Sequence, residues 1–141
     1  MTITLSKEIV EIVREIDLIL FRIRVKESAD KIKMGLVNQT KLITAGSELL
    51  RNIIKYAGKG KVIIEIISRG ANTGIRLTFI DEGPGISDIN LALKDGFSTG
   101  NSLGLGLPGA KRLVNEFNIK SEIGKGTTVQ IVKWKNGRNS T

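Results

Sequence analysis

The sequence has no cysteine and no histidine, and only two prolines and six aromatic residues among 141. Without cysteine there is no disulfide framework, zinc–thiolate site, thiol nucleophile or iron–sulfur cluster. Without histidine there is no Ser-His-Asp triad, no imidazole-bound metal and no phosphoacceptor histidine. No apolar run approaches the roughly 18 residues of a membrane helix. The N-terminal MTITLSKEIVEIVRE does not read as a secretory leader. A cytoplasmic protein with no membrane partner is expected, and the sequons at Asn38 and Asn139 are then incidental. Chemistry must rest on carboxylates, amides, hydroxyls, ammonium groups and backbone, with room for a hard metal ion.

What is present is globular. Hydrophobic residues are 40% and charged residues 26%, and the length suits one domain across residues 1–141 with a sizeable core. The formal charge is +8 and the pI about 9.9, which favours an anionic partner: a nucleotide, nucleic acid, an acidic protein surface or an anionic membrane. Nucleic acid is disfavoured. Phe21, Tyr56, Phe79, Phe97, Phe117 and Trp134 do not interleave with a basic run, as a stacking platform requires.

Branched apolar residues paired with charges over Glu8–Arg14 predict a strand. Asp17 is a candidate cap for a helix over Leu18–Lys33 ending at Gly35, and Asn38 for a second over Gln39–Ala57. Lys61–Arg69 and Ile75–Ile80 read as strands joined by a hairpin turn. A short helix is expected at Ser87–Lys94 and another at Leu107–Phe117. Strands at Ile119–Ile123 and Thr127–Trp134 close the chain before a frayed NGRNST tail. Hairpins without alternating crossovers predict an α+β class: a two-layer α/β sandwich, with helices covering one face of a mixed sheet.

Three segments can carry chemistry. On SELLRNIIKYAG, Glu48, Asn52 and Lys55 fall within about 60° on a helix, with Arg51 beside them. That stripe offers a carboxylate for general-base work, an amide oxygen for Mg²⁺ and ammonium or guanidinium groups for phosphate. It also reads as the solvated face of an amphipathic helix. In IRLTFI-DEGPGI a strand delivers Asp81 beside Gly83 and Gly85. A carboxylate there can accept from an exocyclic amine, or simply cap a tight turn. The third segment is DGFSTGNSLGLGLPGAKRL. Its G-x-G-x-x-G lacks the preceding apolar strand of a dinucleotide fold, and no G-x-x-x-x-G-K-[ST] occurs. What remains is a loop over Gly96–Ser102 entering a glycine-rich helix start, whose free N–H groups suit phosphate oxygens.

The order of these segments resembles the nucleotide site of the GHKL superfamily, which groups gyrase, Hsp90, histidine kinases and MutL. Asn52-Ile-Ile-Lys-Tyr-Ala57 is similar to its N-box, and Gly124-Lys-Gly-Thr127 to the turn supporting the adenine pocket. The match runs from about Gly35 to Trp134. SELLRNIIKYAGKG, DEGPGI, DGFSTGNSLGLGLPGAKRLVNEF and GKGTTVQIVKW are closely similar to the small RsbT-type serine/threonine kinases. The resemblance implies ATP and Mg²⁺ as cofactors and a serine or threonine on a STAS-domain scaffold or antagonist as substrate. It also implies release of the kinase to activate a PP2C-type phosphatase. An anti-sigma factor of the same fold is the alternative.

Carried over by position, the resemblance makes Glu48 the general base and gives Mg²⁺ to Asn52. Arg51 and Lys55 would offset phosphate charge. Asp81 would accept from the adenine amino group, with Gly83, Gly85, Ile86 and Thr127 around the base. Gly104, Leu105 and Gly106 would cradle phosphates under a lid at Gly96–Ser102. The first 34 residues match no motif, and Gly46 is an unusual choice at a core-facing helix position.

Overall fold

The computed structural model describes residues 1–83 and 106–136. In chain order it contains β1 (Thr2–Ile12), α1 (Asp17–Lys31), α2 (Leu36–Tyr56), β2 (Gly60–Arg69), β3 (Asn72–Asp81), α3 (Gly106–Leu113), β4 (Glu116–Glu122) and β5 (Gly126–Trp134). The five strands form one sheet in the order β1-β2-β3-β5-β4. Every neighbouring pair is antiparallel. The α+β sandwich is as expected, but the sheet is antiparallel and not mixed. The reason is the first strand: it lies antiparallel beside β2, so the two intervening helices return the chain to a neighbouring antiparallel position and make no parallel crossover.

Alternation decides which face is buried. Val62, Ile64 and Ile66 stand in register with Phe79, Leu77 and Ile75, and the last two of these with Ile131 and Lys133 of β5. These residues face the helices. α1 meets them with Leu18, Phe21, Val25 and Ala29, and α2 with Leu42, Ala45, Leu49, Leu50 and Ile53, all buried. The helical spacing of each set is what an apolar stripe on a sheet requires. Gly46 is explained by one contact. A Cβ there would sit 2.5 Å from Cζ of Phe21, and the Phe21 ring lies in that notch with its centroid 6.0 Å from that of Phe79. The unmatched N-terminus therefore supplies part of the core.

Several boundaries differ from expectation, each for a local reason. Asp17 does not cap α1 from outside. It is the first helical residue, and its carboxylate accepts from the N–H groups of Val13 and Arg14 at 2.8 and 2.9 Å, ordering the turn after β1. Asn38 lies inside α2 and donates to the carbonyl of Lys135 at 3.2 Å. Gly35 opens α2 and does not close α1; the left-handed residue between the two helices is Lys33, with φ 60°. The predicted helix to Phe117 stops at Leu113, because Asn115 joins β5: its N–H donates to the Val132 carbonyl at 2.9 Å and its side chain accepts from the Trp134 N–H at 2.9 Å. Phe117 is then a strand residue facing the helices. The expected helix at Ser87–Lys94 and the tail beyond residue 136 lie outside the described residues.

The opposite face of the sheet carries polar ladders. Glu65 is paired with Arg76 directly across the strands. Its carboxylate accepts from Arg76 Nε and Nη2 at 3.0 and 3.1 Å and from the Thr4 hydroxyl at 2.9 Å. The Arg76 guanidinium first, and the Thr4 hydroxyl with it, hold the Glu65 carboxyl below the usual glutamate range despite burial. A folded-state value below the unfolded one gives stability that is complete above about pH 4.3 and is lost as pH falls through the lowered value. Glu65→Gln is therefore expected to flatten the acid limb of a urea-midpoint-against-pH curve below about pH 4.3. An acid limb identical to that of the wild type would remove Glu65 from the acid transition.

Candidate nucleotide site

Two ends of the fold converge on the candidate site. The C-terminal half of α2 packs over the end of the β2–β3–β5 strands. A Cβ on Gly60 would lie 2.8 Å from Ile53 Cγ2, and one on Gly83 would lie 2.6 Å from the Cβ of Ala57. Absence of side chains at these two positions lets the last turns of α2 close onto the segment carrying Asp81.

On α2 the polar stripe is not uniformly wet. Glu48 is only 4% exposed, although nothing in the amphipathic pattern marks it as buried. Its carboxylate accepts from Arg51 Nη1 at 2.9 Å, one turn on. A buried carboxylate requires such a charged partner. Asn52 is half-buried, whereas Arg51 and Lys55 are exposed. Lys55 places its ammonium 5.3 Å from the centroid of the Tyr56 ring. Ser47, next to Glu48, is buried and accepts from Arg22 of α1 at 3.3 Å, so α1 braces this turn of α2. Arg22 was not a candidate from sequence, because nothing local ties it to Ser47.

At the sheet end, Asp81 is the last residue of β3 and is half-buried. Its Oδ1 accepts from the Gly83 N–H at 2.9 Å, which fixes the carboxylate and leaves its second oxygen for a ligand. Asp81 pairs with Thr127 on β5, and Thr127 pairs with Ser121 on β4. The three side chains form a row on the helix-facing side. Gly126, with φ 115°, is forced by this packing: a Cβ there would lie 2.1 Å from the Asp81 carbonyl oxygen. An open recess of about 410 Å³ wraps this end of the sheet, lined by Asp81, Ser121 and Thr127 and, from the other face, Ile80, Lys120 and Thr128. Ser121 is absent from the sequence candidates. The register could have found it, because the turn after Glu122 pairs that residue with Gly126 and hence Ser121 with Thr127.

Gly106 is the first residue of α3, which packs against α2. Gly85, Ile86, Gly104, Leu105 and the Gly96–Ser102 loop lie outside the described residues. Among the described residues no group of three or more acidic side chains could hold a metal. The described residues fit a nucleotide better than a resident metal: an oriented carboxylate at the strand end and one amide oxygen on α2. A single amide oxygen suits an ion that keeps most of its shell as water and phosphate oxygens, as Mg²⁺ does. No described helix is long and apolar enough to cross a membrane.

Comparison with known proteins decides the family. Residues 37–137 match the family described as histidine kinase-, DNA gyrase B- and HSP90-like ATPases. The chain belongs to this ATPase family. Within it, the chain is 44% identical over 125 residues to the serine/threonine-protein kinase RsbT of Bacillus subtilis, covering 89% of this chain and 94% of that one. It is 35% identical over 100 residues to an anti-sigma F factor of Caldanaerobacter subterraneus, covering 68% and 69%. The fold is similar to that in a crystal structure of the RsbU and RsbW domains of a Mycobacterium tuberculosis protein, with TM-score 0.65 and 18% identity over 96% of this chain and 35% of that one. It is also similar to the mycobacterial sensor histidine kinase MprB, with TM-score 0.54 and 22% identity over 92% and 97%. The antiparallel sheet with helices on one face is thus the ATPase family's scaffold here, and the Asp81 end of the sheet falls inside the matched residues.

Proposed function

We propose that this chain is an ATP-dependent protein serine/threonine kinase of a partner switch. Its substrate is a serine or threonine on a STAS-domain scaffold or antagonist, and once released it activates a PP2C-type phosphatase. The observation that carries the kinase reading is the extent of the match: it spans 94% of the length of RsbT at 44% identity, against 69% of the anti-sigma relative at 35%.

In this reading the Asp81 end of the sheet receives adenine, and the glycines at 83 and 126, packed against Ala57 and the Asp81 backbone, hold Asp81 and Thr127 in place beside the base. Asn52 would hold Mg²⁺, which would offset phosphate charge on ATP, the donor of the phosphoryl group. Glu48 accepts the proton of the incoming hydroxyl, oriented by Arg51. Arg51 and Lys55 face phosphate charge from the exposed side of α2. Gly104, Leu105 and Gly106 cradle phosphates, and Gly85 and Ile86 border the base. Positioning and electrostatics suffice for phosphoryl transfer, so the lack of His and Cys is no obstacle.

The +8 charge favours an acidic docking surface. Phosphate added to the substrate would attract a basic kinase, so release must come from a clash between that phosphate and bound nucleotide at the interface. Size-exclusion chromatography with a STAS-domain partner tests this. A complex is expected with a non-hydrolysable ATP analogue, and it should persist with Glu48→Ala plus ATP. Wild type plus ATP should dissociate it and leave phosphoserine or phosphothreonine on the partner. A stable complex with a sigma factor, indifferent to ATP turnover, would favour the second reading, an anti-sigma factor, to which the Caldanaerobacter relative points.

A further inference from the structure

We propose that the outward face of α1, the apolar stripe Ile16, Ile19, Leu20 and Ile23 with Arg22 on its α2 side, is where the protein substrate docks, through an apolar patch that carries a carboxylate. The proposal rests on the kinase reading and gives it a place of contact.

α1 is apolar on two sides. Leu18, Phe21 and Val25 are buried against the sheet. At 100° per residue, the centre of the outer stripe falls about 180° from theirs. Ile16, Ile19, Leu20 and Ile23 are 60%, 55%, 41% and 51% exposed, and their i, i+3, i+4, i+7 spacing makes them neighbours. A helix covered on one side needs a single apolar stripe. A second stripe, contiguous and open to water, marks a surface for another macromolecule.

Charge selects the occupant. Arg24 lies 4.0 Å from Glu8 and 3.8 Å from Glu27, and Lys26 holds Asp30 at 2.9 Å. Arg22 differs. Its Nε donates to Ser47 at 3.3 Å, and among the described residues no carboxylate lies within ion-pair distance of it. The Ser47 contact orients the guanidinium and leaves its Nη groups to fork a carboxylate. A second copy of this chain would bring the same unanswered arginine, with Glu27 and Asp30 already engaged. An anionic lipid surface would meet the exposed Glu15, Glu27 and Asp30 beside the stripe. A protein surface with its own apolar centre and acidic group answers both halves. The place agrees too. Ser47 immediately precedes Glu48, so a substrate seated beside Arg22 lies next to the turn of α2 that carries the proposed base.

The test is calorimetry with a STAS-domain protein and a non-hydrolysable ATP analogue. It compares wild type, Ile19→Ser/Ile23→Ser, Arg22→Glu and the control Leu36→Ser/Val37→Ser. Leu36 and Val37 are 70% and 69% exposed at the start of α2, so they report on lost apolar surface away from the stripe. The Ile19/Ile23 variant is expected to bind the STAS-domain protein about 10- to 100-fold more weakly, with wild-type affinity for the nucleotide showing that it is folded. In phosphotransfer its KM for the partner should rise while kcat holds. Arg22→Glu leaves the stripe intact and should also weaken the complex by about 10-fold or more and reduce its salt dependence. The control should bind as wild type does. Partner affinity unchanged in both α1 variants, or lost equally in the control, overturns the proposal. So does an Ile19/Ile23 variant that only turns a dimer into a monomer by sedimentation, or only loses phosphatidylglycerol vesicles, since the occupant is then a second copy or a lipid surface. A wild type that binds the ATP analogue but no STAS-domain protein would overturn the partner-switch reading itself, and this docking surface with it.

Discussion

Glu48→Ala is expected to bind ATP nearly as the wild type does and to lose phosphoryl transfer by about 10²–10⁴-fold, the usual scale for removing a general base. The separation follows from where Glu48 sits. Its carboxylate is buried and engaged by Arg51, on a different element from the Asp81 end of the sheet. Removing it strands no buried cation, because the Arg51 side chain is 47% exposed and can turn to water. The fold should therefore tolerate the change. Asn52→Ala, one turn further along α2, is expected to differ in kind by losing the Mg²⁺-dependent part of ATP binding. Calorimetry with and without Mg²⁺, beside a phosphotransfer assay on the partner, reads both quantities. Wild-type turnover in both variants would reduce this stretch of α2 to a packing surface.

Asp81→Asn is expected to weaken ATP binding by about 30- to 1000-fold, or about 2–4 kcal/mol. The carboxylate has two jobs, one oxygen for the Gly83 N–H and the other for the ligand amine. An asparagine has a single oxygen. Whichever way its amide turns, a donor faces either the Gly83 N–H or the incoming amine. Asp81 is half-buried, so water compensates only in part. Unchanged affinity in a folded Asp81→Asn protein would move the base elsewhere.

The sandwich and most elements were legible in the sequence because alternation and helical spacing both report burial, and here they agree. β2 and β3 needed only their apolar alternation and the glycine turn. What failed was capping. Asp17 and Asn38 are cap-type residues, but each spends its side chain on a partner that composition cannot rank: the turn at Val13 and Arg14, and a carbonyl 97 positions away. Leu113, Val114 and Phe117 suit helical spacing, which is why the sequence predicts a helix through Phe117. The hydrogen bonds of Asn115 to β5 override that pattern. In the site, Asp81 and Thr127 stand out locally, at a strand end and beside a glycine turn. The burial of Glu48 and the Ser121–Thr127 contact depend on tertiary packing and on strand register, which no single segment encodes.

The matched family begins at residue 37, yet the core does not respect that border. β1 is paired with β2 along its length, from Thr2 opposite Arg69 to Ile12 opposite Gly60, and the Phe21 ring fills the notch at Gly46. The notch and its ring therefore behave as lock and key across a boundary that sequence similarity draws as a seam. A chimera joined at residue 37 would inherit the notch from one parent and whatever side chain the other parent offers. An empty notch costs about 3–5 kcal/mol, as for loss of a buried phenyl ring, a large share of the stability of a domain this size. Modules exchanged between relatives of this chain should thus be cut ahead of β1, so that nucleotide-binding segments travel with the strand and helix that hold them shut.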